Sequence, residues 1–270
     1  MKQSSRWIFL GIAMLIFLLG IGVFMYPIIS NLVEEHLQKN VIRGYETSMK
    51  SMEKSEQENE RRKAEEYNQK LRFDYENILD LEKNGVMGYI EIPAIEVELP
   101  IYHGSEEESL KKGVGHIRRT SLPIGGEGTH SILTGHRGLP NAELFTRLDE
   151  LGEKDCFYLH VLDQILAYEI DQITTVLPEE IDHIESEPNE DYVTLVTCTP
   201  YGVNSHRLLV RGSRIPYESE EKTDTTESFW DKNKKFIWLG VIAGVSIASV
   251  GYRIYLQKKR KRKYYRYKKK

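Results

Sequence analysis

The chain has 270 residues, 40% of them hydrophobic, which is ordinary for a globular protein with room for one or two domains. The net charge of −4 hides a segregated chain: residues 27–235 hold all 41 acidic residues against 24 of the 37 basic ones, a net −17. Ten of the last thirteen residues are Lys or Arg, and because this basic run borders an apolar span it argues for a membrane surface and against a nucleic-acid partner.

The chain opens with a short basic segment, residues 1–6, followed by the uncharged apolar run Trp7–Met25. Nineteen residues is about the length that crosses a bilayer core of roughly 30 Å. A cleaved signal peptide would have a shorter core and a small-residue cleavage pattern, whereas Tyr26-Pro27-Ile28-Ile29 follows here, so residues 7–26 read as a retained anchor. A second uncharged run, Phe236–Tyr252, predicts another span over 236–256, with a basic tail at 257–270. Lys2, Arg6 and the tail put both termini in the cytoplasm by the positive-inside rule, leaving 27–235 outside the cell.

Residues 27–85 are rich in Glu, Lys, Gln and Asn, and Leu37, Val41, Tyr45, Met49 and Met52 recur at helical spacing. That pattern predicts a helical stalk with a narrow apolar stripe able to pack on the next domain. From Val86 the period changes to that of strands: Gly88–Ile92, Val97–Tyr102, Val114–Ile117, Thr129–Thr134, Cys156–Leu162, Ile165–Val176, Tyr192–Cys198 and His206–Ile215. Two short helices are expected among them, Ser105–Lys112 capped by Ser105 and another from a capping Asn141 to about Leu151. About eight short strands with brief helices predict a mostly β domain over 86–216, closed as a barrel. Residues 217–235 are polar and acidic, the pattern of a flexible tether.

The chemistry concentrates in two stretches. Val193–Cys198 is a β-branched run ending at a cysteine, Pro200, Gly202 and Asn204 mark a turn, and Arg207 opens the next strand. Cys198 and Arg207 therefore sit near one end of neighbouring strands, as a thiol nucleophile and a fixed cation for a developing oxyanion. Upstream, a short strand stops at Gly135 and delivers His136, an imidazole able to maintain Cys198 as a thiolate. The second cysteine, Cys156, matches no motif, and a Cys156–Cys198 disulfide is the competing reading. No His-Glu-x-x-His or Cys-x-x-Cys pattern points to a metal, and no cofactor is expected; the acidic stretch Glu179–Asp191 reads as a solvated loop.

Leu-Val-Thr-Cys-Thr-Pro-Tyr-Gly-Val-Asn-Ser-His-Arg-Leu-Leu-Val-Arg-Gly, with Leu-Thr-Gly-His-Arg-Gly-Leu-Pro upstream, resembles the signature of the sortases, and within them the pilus-assembling class C. The resemblance implies an eight-stranded sortase-type barrel. It also implies cleavage of an LPXTG-like signal between Thr and Gly by Cys198, with Arg207 on the oxyanion and His136 as acid and base, and transfer of the acyl group to a pilin lysine. Thr134, Thr197, Thr199, Tyr201 and Asn204 are the candidate substrate contacts. Class C sortases carry an Asp-Pro-aromatic lid; that triplet is missing here, and Phe73-Asp74-Tyr75 is the nearest candidate. The expected partners are pilins or surface proteins with C-terminal sorting signals and the lipid bilayer, with oligomeric state left open. Two alternatives stand beside this reading: a housekeeping sortase that attaches surface proteins to a peptidoglycan precursor, and a catalytically idle scaffold that only binds sorting peptides.

Overall fold

The computed structural model describes residues 3–70 and 75–217, together with Arg253. The expected tether, second span and basic tail lie outside the described residues, apart from Tyr217 and Arg253. The first helix, α1 (Gln3–Ser51), is continuous through Pro27. Its early part leaves Leu15, Leu18, Leu19 and Phe24 exposed, and among the described residues it is the one helix long and apolar enough to cross a membrane.

Beyond the apolar run the same helix becomes amphipathic and packs on the β domain. Ile42, Tyr45 and Met49 are buried there, and Gln38 Nε2 donates to the Lys112 carbonyl at 3.2 Å. Tyr45 is the firmest tie, its hydroxyl donating to the Met87 carbonyl and accepting from the Leu162 N–H. The buried seam follows 38, 42, 45 and 49, so Leu37, expected in the stripe, is 51% exposed. The physical reason is that positions 38 and 42 share the face of Tyr45 and Met49 at spacings of four and three, with Val41 packed at its edge. A second helix, α2 (Lys54–Lys70), buries Ala64 and Tyr67, and the amide of its Asn68 brackets Leu122 with two hydrogen bonds.

Eight strands follow: β1 (Val86–Ile92), β2 (Val97–His103), β3 (Val114–His116), β4 (Thr129–Thr134), β5 (Cys156–Val161), β6 (Gln164–Val176), β7 (Asp191–Thr199) and β8 (His206–Ile215). They close into a barrel in the order β1-β2-β3-β4-β7-β8-β6-β5. Neighbours are antiparallel except β2/β3 and β4/β7, which run parallel. Alternation drives the closure, as β5 shows by burying Phe157, Leu159 and Val161 while Cys156, Tyr158 and His160 are half-exposed. Leu133, Leu195 and Val210 belong to the main core. Their strand neighbours Ile132, Val196 and Leu209 form a separate apolar cluster on the other side of the sheet, covered by Ile181 and Ile184.

Two expected helices differ. The short helix α3 begins at Glu107 and ends at Lys112, after Glu106 and not Ser105, with no side-chain cap. Glu106 is drawn away by an ion pair with Arg118. No helix forms at Asn141–Leu151 beyond a 3-10 turn at Leu148–Glu150. Leu144 has a φ of +42° and Ala142 bridges to Leu139, which together break the helical path. The leucine spacing belongs to a loop whose Leu144, Phe145, Leu148 and Leu151 are buried at the end of the barrel.

Candidate active site

The site is assembled by register across three adjacent strands. Cys198 on β7 lies directly opposite Arg207 on β8. Residues paired in this way project to the same face with Cβ atoms about 5 Å apart. On the other flank β4 runs parallel to β7, with Ile132 opposite Thr194 and Thr134 opposite Val196. The pairing continues past the strand, because the Gly135 N–H donates to the Val196 carbonyl at 3.0 Å and Thr197 Oγ1 donates to the Gly135 carbonyl at 2.8 Å. The next residue, His136, follows at the same end of the barrel as the last residues of β7. Alternation puts Cys198 and Arg207 on the face of Val196 and Leu209, on neighbouring strands about 4.8 Å apart, while His136 lies two residues past the end of β4.

Each group is partly open to solvent. Arg207 Nη1 donates to the carbonyls of Asn204 and His206, at 3.2 and 3.0 Å, and among the described residues no carboxylate is within ion-pair distance of it. Its charge is therefore not neutralised locally. His206, its neighbour, meets Ser205 Oγ at 2.9 Å. His136 Nε2 lies 3.2 Å from Glu107 Oε2 in the first turn of α3. Lys111 and then His136 hold the Glu107 carboxyl below the usual carboxylate range. Cys156 is at the start of β5, and neither cysteine is in a disulfide.

The remaining sequence candidates divide. Tyr201 is 61% exposed and Asn204 occupies the turn with a positive φ of 59°, both within reach of the rim. Thr134 and Thr199 are half-buried on the strands that frame it. Thr197 is corrected: at 1% exposure it faces inward, and its hydroxyl is spent on Gly135. Phe73 and Asp74 lie outside the described residues. Tyr75 is buried at β2 and β3, its hydroxyl 2.8 Å from His116 Nδ1 and accepting the Gly104 N–H at 2.9 Å, and burial pushes its ionisation up. Among the described residues no group of three or more His, Cys, Asp and Glu side chains is arranged to hold a metal ion.

Sequence reasoning missed Glu107 and Arg137. It also missed the outer apolar cluster beside the thiol. Alternating Ile132, Val196 and Leu209 with inward core residues was a visible signal that both faces of these strands are covered.

A sortase-domain family model matches residues 90–215. The crystal structure of sortase C1 from Streptococcus agalactiae is 42% identical, covers 66% of this chain and all of that one, and superposes with a TM-score of 0.64. This chain belongs to the sortases, class C. A Streptococcus pneumoniae sortase C, whose structure was described in terms of catalysis and pilin substrate specificity, is 47% identical over 67% of this chain and 99% of its own, with a TM-score of 0.61. Among curated relatives, sortase A of Bacillus anthracis is 29% identical over half of this chain and 62% of its own length. Sortase A of Streptococcus agalactiae is 26% identical over 72% of this chain and 78% of its own. Sortases are cysteine transpeptidases, and this sortase carries a cysteine at the end of β7 with an arginine opposite it.

Proposed function

We propose that this sortase is anchored in the cell membrane with its barrel outside the cell. There it cleaves an LPXTG-like sorting signal between Thr and Gly and transfers the acyl group to a pilin lysine. One observation carries the reading: Cys198 and Arg207 are a directly opposed pair, and the strand that leads to His136 pairs with the cysteine's strand up to Thr134 and Val196, two residues short of each. In this mechanism the Cys198 thiolate attacks the Thr carbonyl while Arg207 donates to the oxyanion. His136 protonates the departing glycine amine and, after the thioester has formed, takes a proton from the incoming amine.

Lysine as the acceptor is favoured by likeness to the Streptococcus sortases C, one of them described for its pilin substrate specificity. The two-span topology, with both termini inside, rests on the two apolar runs and the basic ends. On this reading residues 1–6 are cytoplasmic, 7–26 and 236–256 span the bilayer, 27–85 form the helical approach, 86–216 the catalytic barrel and 217–235 the tether, with 257–270 inside.

The test uses the full chain in detergent micelles with a fluorogenic LPXTG peptide and a lysine-bearing acceptor peptide. Wild type is expected to release the glycine fragment and form the cross-peptide, and Cys198→Ala to do neither. Binding of the peptide without turnover by wild type would instead support the idle scaffold.

A further inference from the structure

Arg137 follows His136, and Thr199 follows Cys198. The Arg137 side chain is only 7% exposed, ion-paired with Asp149, and Nη1 donates to Thr199 Oγ1 at 3.3 Å. Its guanidinium lies over the Tyr201 ring, 5.7 Å from the centroid. On the opposite strand-end Gly138, with a φ of +76°, comes so near Tyr201 that a Cβ there would sit 3.0 Å from Cε2 of the ring. One buried cation thus ties the loop that carries the imidazole to the turn that carries the thiol and to the segment 149 behind them. Its Nε has no hydrogen-bond partner among the described residues. A buried guanidinium with an unpaired N–H, ion-paired to a half-exposed carboxylate, is a poor device for stability alone, since apolar packing in its place does as well or better. What a rigid planar fork supplies, and apolar packing does not, is a fixed distance between the two ends it holds.

We propose that Arg137 is a positioning residue that sets the separation of the His136 imidazole and the Cys198 thiol through Thr199 and Tyr201, a role that rests on the transpeptidase reading above. Arg137 touches neither substrate nor reacting atoms. Its effect passes through the two neighbours it links.

The decisive variant is Arg137→Lys in the full chain. An ammonium keeps the charge toward Asp149 but cannot also donate to Thr199 and lie flat on Tyr201. The expected result is a fall in kcat on the order of 10- to 100-fold with KM little changed, since a misplacement near 1 Å carries losses of that order. The thermal midpoint stays close to wild type. The pH profile of Cys198 alkylation by iodoacetamide moves to higher pH, a readout that a merely structural role would leave in place. Thr199→Val severs the far end of the same link, and the double variant is expected to be no worse than the poorer single one. Wild-type kcat and alkylation profile in a folded Arg137→Lys, additive losses in the double variant, or activity lost only in proportion to folded protein would each overturn the proposal. Should Arg137→Lys fail to fold, Thr199→Val with the same two readouts decides alone, an unchanged alkylation profile being the overturning result. Failure of the transpeptidase reading looks different, because wild type would then be inert toward the peptide while the alkylation profiles still report on Arg137.

Discussion

Two histidines at neighbouring strands of one barrel show how differently the same side chain can be used. His116 on β3 is fully buried, with Nε2 2.8 Å from the Ser121 carbonyl and Nδ1 2.8 Å from the Tyr75 hydroxyl. If Nε2–H is given to the carbonyl, Nδ1 is left to accept the tyrosine O–H, and both nitrogens are satisfied in the neutral ring. His136 just past β4 has a quarter of its side chain exposed and one charged neighbour, Glu107, which is itself in solvent. An imidazole whose bonds are all closed off from water holds structure together. One left at a rim beside a thiol can exchange protons with what arrives there.

The contrast is broken most severely at the rim. His136→Ala is expected to lower kcat/KM for the sorting peptide on the order of 1000-fold, the scale of a lost general acid and base, while the thermal midpoint stays within a few degrees. Peptide turnover and a melting curve on the same preparation check both halves. The same truncation at His116 should do the opposite, reducing stability and leaving activity per folded molecule intact.

Acid probes the buried member. Burial pushes the His116 imidazole down to about 4, below the 6.5 of the free group. The unfolded chain therefore binds the proton first, so this contribution is whole above pH 6.5 and is lost as pH falls toward 4. The loss from this group is about 3 kcal/mol, and denaturant midpoints between pH 7 and 4 should follow it. In His116→Gln that part of the slope is expected to vanish.

At the rim again, Arg207→Lys should cost roughly 10- to 100-fold in kcat/KM, because a point-charge ammonium on a flexible stem does not reproduce the planar guanidinium facing Cys198. Turnover near the wild-type rate would remove Arg207 from the mechanism. The smallest effect sharpens the choice between the cysteines. Cys156→Ser, at the start of β5, is expected to stay within about 2-fold of wild type in the same assay, as a substitution outside core and site usually does.

Much of this was legible locally. Period-two alternation marks a strand wherever one face is buried and the other is not, so all eight strands are found within a residue or two, and β4 and β8 at their observed ends. The failures fall where local spacing is ambiguous. The stretch from Asn141 to about Leu151 reads as a helix, yet its Leu144, Leu148 and Leu151 are buried in the main core from a loop, and the positive φ of Leu144 breaks the helical path. Thr197, a candidate substrate contact, adjoins Cys198 in sequence, and the pleat sends adjacent side chains to opposite faces.

The amino-acid order alone determined the strands, the apolar first helix and the residue types able to do thiol chemistry, since each depends on neighbours within a turn or a strand length. Only the tertiary structure decided that β4 lies parallel to β7, which brings the end of the strand before His136 against that of Cys198 and lets Arg137 reach Thr199, 62 positions later. It likewise decided that Glu107 meets His136, and that α1 packs on the β domain from Gln38 onward. Such pairings are set by which strands close the barrel, a choice made by the whole core at once and carried by no short stretch of sequence.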